Sequence, residues 1–155
     1  MHGRNSGLIT QYLLGGMMRQ KKYDVAVIGG GPAGTSTAIN LAKMGARVVL
    51  FEAKTYPHEK LCGEFLSPEC HHILQILGVA ERLSEYGPAT IDEVRITAPN
   101  GDDWQISLPG TAWGLSRKVF DAELARHADR LGVEICDGTT VTGIAGNLRK
   151  GFELQ

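Results

Sequence analysis

A glycine-rich segment followed by a single acidic residue is the part of this sequence whose residue types and spacing best suit chemistry. Residues 29–34 read Gly-Gly-Gly-Pro-Ala-Gly. In such a pattern Gly29 allows a tight turn, Gly31 lets the backbone approach a pyrophosphate, and Gly34 lets a helix pack closely on a sheet. Glu52 lies further along, and a carboxylate there can accept hydrogen bonds from both hydroxyls of an adenosine ribose. The combination predicts a dinucleotide-binding site.

The elements that must position these residues can be predicted from the flanking sequence. Residues 24–28 and 47–51 are short apolar runs typical of buried parallel strands. Between them, residues 32–43 have helical periodicity, and Gly45 suits a helix C-terminus. The result is a strand–helix–strand unit whose helix N-terminus faces the phosphates. Because Glu52 would repel a 2′-phosphate, the unit favours FAD or NAD over NADP, but it does not choose between FAD and NAD.

The rest of the chain predicts an α/β fold with a parallel sheet and an inserted β-hairpin. We expect a long loop at 53–66, and strands of period two within an insertion at about 88–112. The other predicted elements are helices at 67–77 and 116–131, a third parallel strand at 133–136, and strands at 139–144 and 152–155 joined by a turn at Gly146-Asn147.

Length and composition restrict the classes of function. The 155 residues suit one domain, here 23–155, preceded by a leader at 1–22 that is interpreted as either a disordered tail or an upstream mis-start. A net charge of -1 argues against a nucleic-acid partner. No apolar run approaches the roughly 20 residues needed to span a bilayer. Three cysteines without paired spacing fit a reducing cytoplasm. No metal site is predicted, because the adjacent residues Cys70, His71 and His72 would point in different directions on a helix.

Three segments give the chain a family resemblance. Residues 24–53 resemble the Rossmann-like FAD-binding N-terminus of the glutathione-reductase-type flavoproteins. Lys60-Leu61-Cys62-Gly63-Glu64 is similar to a loop of the geranylgeranyl-reductase-like oxidoreductases, which are relatives of the aromatic-ring hydroxylases (group A flavoprotein monooxygenases) and the flavin-dependent halogenases. Residues 115–124 resemble the helix start at which that superfamily places an arginine near the flavin.

The resemblance implies a cofactor and the residues that hold it. The cofactor is FAD, with NAD(P)H as a candidate electron donor. Arg117 would be a second clamp on the ribityl-pyrophosphate arm, and Val141, in the strand after Asp137-Gly138, would meet the adenine. The full set of cofactor-binding residues is Gly29, Gly31, Pro32, Ala33, Gly34, Glu52, Ala53, Arg117 and Val141. The catalytic residues are unknown, and Cys62 is either a packed residue or part of the active-site lining.

The resemblance also implies an activity. The parent enzyme would be an FAD-dependent oxidoreductase acting on a hydrophobic or aromatic small molecule. The family's third flavin motif and most of its substrate-binding sheet have no counterpart in these residues, so the chain resembles an N-terminal portion and is expected to be inactive alone. The alternatives are an NAD-dependent dehydrogenase and a non-catalytic dinucleotide-binding remnant. The sequence determines neither the substrate nor the oligomeric state.

Overall fold

Helices and strands alternate along much of the chain. The computed structural model describes residues 8–14, 17–62 and 64–155. In chain order the elements are β1 (Leu8–Leu14), β2 (Met17–Tyr23), β3 (Val25–Ile28), α1 (Pro32–Lys43), β4 (Val48–Phe51), β5 (Phe65–Leu66), α2 (Pro68–Leu77), α3 (Ala80–Ser84), β6 (Ala89–Thr97), β7 (Asp103–Gly114), α4 (Arg117–Arg130), β8 (Glu134–Cys136), β9 (Ile144–Asn147) and β10 (Gly151–Leu154).

The chain divides into two compact units, and one is inserted into the sequence of the other. The first unit, here called the discontinuous unit, comprises Met1–Tyr56 and Leu124–Gln155. The second, the inserted unit, is Pro57–Glu123. Helix α4 therefore begins in the inserted unit and ends in the discontinuous one.

A parallel sheet organises the discontinuous unit, as predicted. Its strand order is β3-β4-β8, with Val25 opposite Val48 and Leu50 opposite Ile135. All four residues of β4 are buried, which explains why the strand reads as an uninterrupted apolar run. Helix α1 packs on β3 and β4. A core cluster lies beside the sheet and consists of Tyr23, Val49, Phe51, Cys136 and Leu154.

The inserted unit contains an antiparallel sheet in the order β5-β7-β6. β6 and β7 pair across residues 98–102, within the range where the sequence predicts a hairpin. Val94 lies opposite Ile106 and Ile96 lies opposite Trp104, so these four apolar side chains share one face of the hairpin. They are between 37% and 59% exposed. This face therefore differs from β4, where every residue is covered.

A pair of strands, β1 and β2, lies at the segment that the sequence analysis describes as a leader. β1 and β2 pair antiparallel along their whole lengths, from Leu8 opposite Tyr23 to Leu14 opposite Met17. The segment resembles a tail in sequence because Gly15-Gly16 interrupts its apolar run and Arg19-Gln20-Lys21-Lys22 follows. Its Ile9, Thr10 and Tyr12 are nevertheless types favoured in strands, and paired strands satisfy each other's backbone groups.

The predicted strand at 139–144 and the predicted turn at Gly146-Asn147 are both wrong. Residues 139–143 are irregular, and β9 contains Gly146 and Asn147 themselves. The turn falls after them, where the Asn147 side chain accepts hydrogen bonds from Arg149 N (3.0 Å) and Lys150 N (3.1 Å). An asparagine that bonds to the backbone ahead of it opens a turn rather than occupying its centre. The short helix α3 is absent from the prediction because it has only five residues.

Candidate functional site

The glycine turn between β3 and α1 has the geometry that its sequence requires. Gly29 has φ +101°, a left-handed conformation that side chains strongly disfavour. A Cβ on Gly34 would overlap the carbonyl oxygen of Gly29, so α1 approaches the turn more closely than any other residue would allow. Both predicted roles, the tight turn and the close packing, are therefore present in the structure.

The start of α1 provides backbone donors beside this turn. Gly31 is the extended N-cap residue and Pro32 occupies the first helical position. The first intrahelical bond of the backbone runs from Thr35 N to Gly31 O (3.0 Å), so the N–H groups of Ala33 and Gly34 precede the helical ladder. Such groups, together with the helix dipole, favour a bound phosphate.

The Glu52 carboxylate is fixed by the main chain on both of its oxygens. Gly30 N donates to Oε2 at 2.7 Å, and Lys54 N donates to Oε1 at 3.0 Å. The side chain is half-buried at the end of β4. An ionised carboxylate accepts hydrogen bonds at about four sites, two on each oxygen. A carboxylate at this place suits the hydroxyls of a ribose, and the backbone N–H groups at the start of α1 suit a pyrophosphate. The residues present therefore fit the ADP half of FAD.

The other two cofactor-binding residues predicted in this unit are Ala53 and Val141. Ala53 is exposed, directly after Glu52. Val141 lies in the irregular stretch between β8 and β9, which corrects its predicted place in a strand. It is half-buried and packs against the core cluster. The contacts of Val141 with the core cluster are therefore packing contacts.

Sequence reasoning missed Gly30 and Tyr56. Gly30 is buried, and a Cβ there would overlap the Tyr56 hydroxyl and lie 2.9 Å from the Glu52 Cβ. The Tyr56 hydroxyl donates to Gly30 O, and Tyr56 N donates to Asp137 Oδ2 at 2.9 Å. Gly30 occupies an unspecified position of the motif, and a tyrosine in a polar loop reads as an exposed residue. The sequence therefore carries no signal for this contact.

Arg117 belongs to the inserted unit and is held by a carboxylate one turn along α4. Its Nε and Nη2 donate to Asp121 Oδ1 (2.8 Å) and Oδ2 (2.7 Å). The two side chains are 16% and 3% exposed. The hydrogen bonds to Asp121 raise the pKa of Arg117 above its ordinary value. Asp121 was not predicted, although an acidic residue four positions after an arginine on a helix is a recognisable signal.

Cys62 is exposed and lies beside the same arginine. The N–H of Glu64 and, second, the Arg117 guanidinium hydrogen-bond to its sulfur and lower the pKa of the thiol. The Glu64 backbone is itself unusual, with φ +55°, and its carbonyl accepts a hydrogen bond from Leu115 N at 2.9 Å. The structure therefore places Cys62 at an exposed loop position beside Arg117, and not in a packed core.

The neighbouring cysteine and histidines take separate positions. Cys70 Sγ lies 3.5 Å from Ser67 Oγ, while the His71 ring meets the Trp113 ring edge-on at 4.2 Å between centroids. Across residues 8–14, 17–62 and 64–155, no three His, Cys, Asp or Glu side chains form a group that suits a metal ion.

The parallel sheet, the glycine turn and the terminal glutamate together define a dinucleotide-binding α/β protein. Comparison with known sequences makes this specific, since residues 22–150 match the family described as "FAD binding domain". The chain belongs to this family, it is a flavoprotein domain, and its cofactor is FAD.

The relatives are flavin enzymes of several kinds. The chain is 35% identical to the flavin-dependent halogenase armH3 of Armillaria mellea, over 78% of this chain and 25% of that protein. It is 38% identical to digeranylgeranylglycerophospholipid reductase 1 of Methanothermobacter thermautotrophicus, over 79% and 32%. Among solved structures, the flavin-dependent brominase Bmp2 superposes with a TM-score of 0.72 at 30% identity, over 81% of this chain and 31% of that one. The chain thus spans between a quarter and a third of the length of these relatives. In the part of the chain that the structure describes, no helix has the length and apolar character of a membrane span.

Proposed function

We propose that this chain is the ADP-binding portion of an FAD-dependent oxidoreductase with a glutathione-reductase-type fold and the hairpin of 88–112 as an insertion. The observation that carries the proposal is the Glu52 carboxylate, which the N–H groups of Gly30 and Lys54 fix at the end of β4, beside the glycine turn. Family membership supports the same cofactor.

Each residue has a specific role in this proposal. Glu52 accepts hydrogen bonds from the ribose, and Ala53 follows it along the edge of the site. Gly29, Gly31, Pro32, Ala33 and Gly34 present backbone to the pyrophosphate. Val141 supports the adenine end through its packing against the core cluster. Arg117 contributes guanidinium donors beyond the two that Asp121 takes and the one that bonds to Cys62, because a guanidinium has five.

The chemistry that bound FAD supplies is electron transfer to or from an organic substrate. Relatives named as halogenases and a digeranylgeranylglycerophospholipid reductase support a hydrophobic or aromatic small molecule as that substrate. The exposed apolar face of the hairpin, formed by Val94, Ile96, Trp104 and Ile106, is compatible with such a molecule. Because the chain spans only part of its relatives, we propose that turnover requires further residues. We also propose a cytoplasmic location, given three free cysteines.

The test is a binding titration with the purified 155-residue protein. FAD fluorescence is followed as protein is added, and ADP, NAD and NADP are then tested as competitors. We expect saturable FAD binding, displacement by ADP, and little displacement by NADP because its 2′-phosphate would meet Glu52. A folded protein that binds NAD tightly and FAD not at all would contradict the proposal and favour a dehydrogenase.

A further inference from the structure

The loop after β4 folds back onto the glycine turn through one side chain. The Tyr56 hydroxyl donates a hydrogen bond to the carbonyl oxygen of Gly30. The tyrosine is half-buried, and it occupies the space that a side chain on Gly30 would need. Tyr56 therefore contacts the central residue of the motif and not the surface of the helix.

This loop is anchored at both ends by β8 and the residues that follow it. Glu52 N donates to Cys136 O at 3.1 Å, and Thr139 N donates to Glu52 O at 2.9 Å. At the far end Tyr56 N donates to Asp137 Oδ2 at 2.9 Å. These bonds fix the backbone on which the Tyr56 ring is mounted. The position of the Tyr56 hydroxyl beside Gly30 is therefore held by a backbone that is hydrogen-bonded at both ends of the loop.

The carbonyl that Tyr56 holds belongs to the same peptide group as the N–H of Gly31. In a planar trans peptide the C=O and the N–H point in opposite directions, so fixing one fixes the other. A hydrogen bond accepted at the carbonyl also polarises the peptide and strengthens its N–H as a donor. The Gly31 N–H thus points away from Tyr56, at the position where the backbone is expected to approach the pyrophosphate.

We infer that Tyr56 is a positioning residue for the cofactor, which orients the Gly30–Gly31 peptide so that the Gly31 N–H donates to the pyrophosphate of FAD. The inference rests on the proposed function, because it assigns a supporting residue to that same site. It predicts that the hydroxyl of Tyr56 matters to ligands that carry phosphates and not to adenosine alone.

The experiment compares Tyr56→Phe with the unaltered protein by calorimetric titration with FAD, ADP and adenosine. We expect dissociation constants for FAD and ADP to rise by the same factor, about 3- to 10-fold for one hydrogen bond, while that for adenosine stays unchanged. Tyr86→Phe is the matched control, since it removes a phenolic hydroxyl that donates to Glu123 at 3.2 Å in the inserted unit. It should leave all three constants unchanged.

Two results would overturn the inference. Equal losses for adenosine and ADP would show a general structural role, and unchanged FAD and ADP binding would show no role. If the unaltered protein bound neither FAD nor ADP, the proposed function would fail together with the inference. If it bound both and Tyr56→Phe had no effect, only the inference would fail.

A second measurement on the unaltered protein does not depend on the folding of the variant. The amide signal of Gly31 is followed by nuclear magnetic resonance as ADP or adenosine is added. We expect a downfield shift of the Gly31 amide proton with ADP and little change with adenosine. An amide signal that responds equally to both ligands, or to neither, contradicts the inference.

Discussion

Glu52 in the discontinuous unit and Asp121 in the inserted unit are carboxylates that each accept two hydrogen bonds, but they are held in different ways. Glu52 accepts one backbone N–H on each oxygen and is half-buried. Asp121 accepts two donors from one guanidinium and is 2% exposed. Gly30 and Lys54 donate to Glu52 from the main chain, whereas the Arg117 guanidinium neutralises Asp121.

The difference indicates what each carboxylate can do. A carboxylate fixed by backbone groups is oriented before a ligand binds. The oxygens of a carboxylate paired with an arginine accept their hydrogen bonds from that arginine, and the pair holds the arginine in place. We therefore expect Glu52 to control ligand binding and Asp121 to control stability and the position of Arg117.

The largest expected effect comes from Asp121→Ala. Removing one partner of a largely buried ion pair leaves an uncompensated charge, so the free energy of unfolding should fall by about 3 kcal/mol. Urea unfolding followed by circular dichroism measures the change. Asp129→Ala, at an exposed position of the same helix, is the control and should have little effect. A loss no larger than that of the control would mean that the pair contributes nothing to the fold.

Glu52→Gln should affect binding more than stability. Hydrogen bonds to a charged group contribute about 1.5–3 kcal/mol, so the affinity for FAD should fall by roughly 10- to 100-fold. Titration of flavin fluorescence measures it. Asp121→Asn is the reciprocal variant, and its main effect should be on the unfolding midpoint. If both variants changed binding and stability equally, the contrast between the two carboxylates would be wrong.

The reactivity of Cys62 tests whether Arg117 hydrogen-bonds to Cys62 as well as to Asp121. Because the thiol pKa is lowered by the Glu64 N–H and by Arg117, the thiolate should form at a lower pH than in a free cysteine. In a Cys70→Ser, Cys136→Ser background, the rate of alkylation by iodoacetamide should rise with pH around a midpoint below that of N-acetylcysteine. A midpoint at or above that of N-acetylcysteine would mean that Arg117 hydrogen-bonds to Asp121 and not to Cys62.

The smallest effect concerns Asp24, an exposed carboxylate that combines both arrangements. It accepts Arg47 N at 2.8 Å and also the Arg47 guanidinium, whose hydrogen bonds lower its pKa from 3.8 to about 2. A pKa lowered by folding gives stability that is present above pH 4 and is lost as the pH falls towards 2. Melting temperatures from pH 6 to pH 2 should show a shallower acid decline for Asp24→Asn than for the unaltered protein. Parallel curves would exclude this contribution.

The sequence predicted β3, α1, β4 and the glycine turn because each has a strong local cause. Gly29 and Gly34 stand where only glycine fits, and β4 is apolar throughout because it is covered on both faces. Contacts between distant segments lack such signals. The pairing of Tyr56 with Gly30 and Asp137 depends on the fold having brought three strand ends together.

The wrong prediction at residues 139–147 has a second cause, because the same residue types can suit two different local structures. Gly146 and Asn147 are turn residues by composition, yet here they complete β9 and Asn147 bonds forward into the turn. The leader is a different case. Its interrupted apolar run and its basic residues 19–22 suggested a tail, and the pairing of β1 with β2 is a contact that the sequence does not reveal.

The insertion of one unit into the other has a consequence for the order of folding. β3 and β4 are joined by one helix, so they can pair as soon as that short crossover closes. β8 emerges from the ribosome only after all of Pro57–Glu123 has been synthesised. Closing the longer loop costs more entropy and delays the β4–β8 pair. We therefore expect the nascent chain to expose the edge of β4 during synthesis and to complete the cofactor site last, when Asp137 arrives to anchor Tyr56.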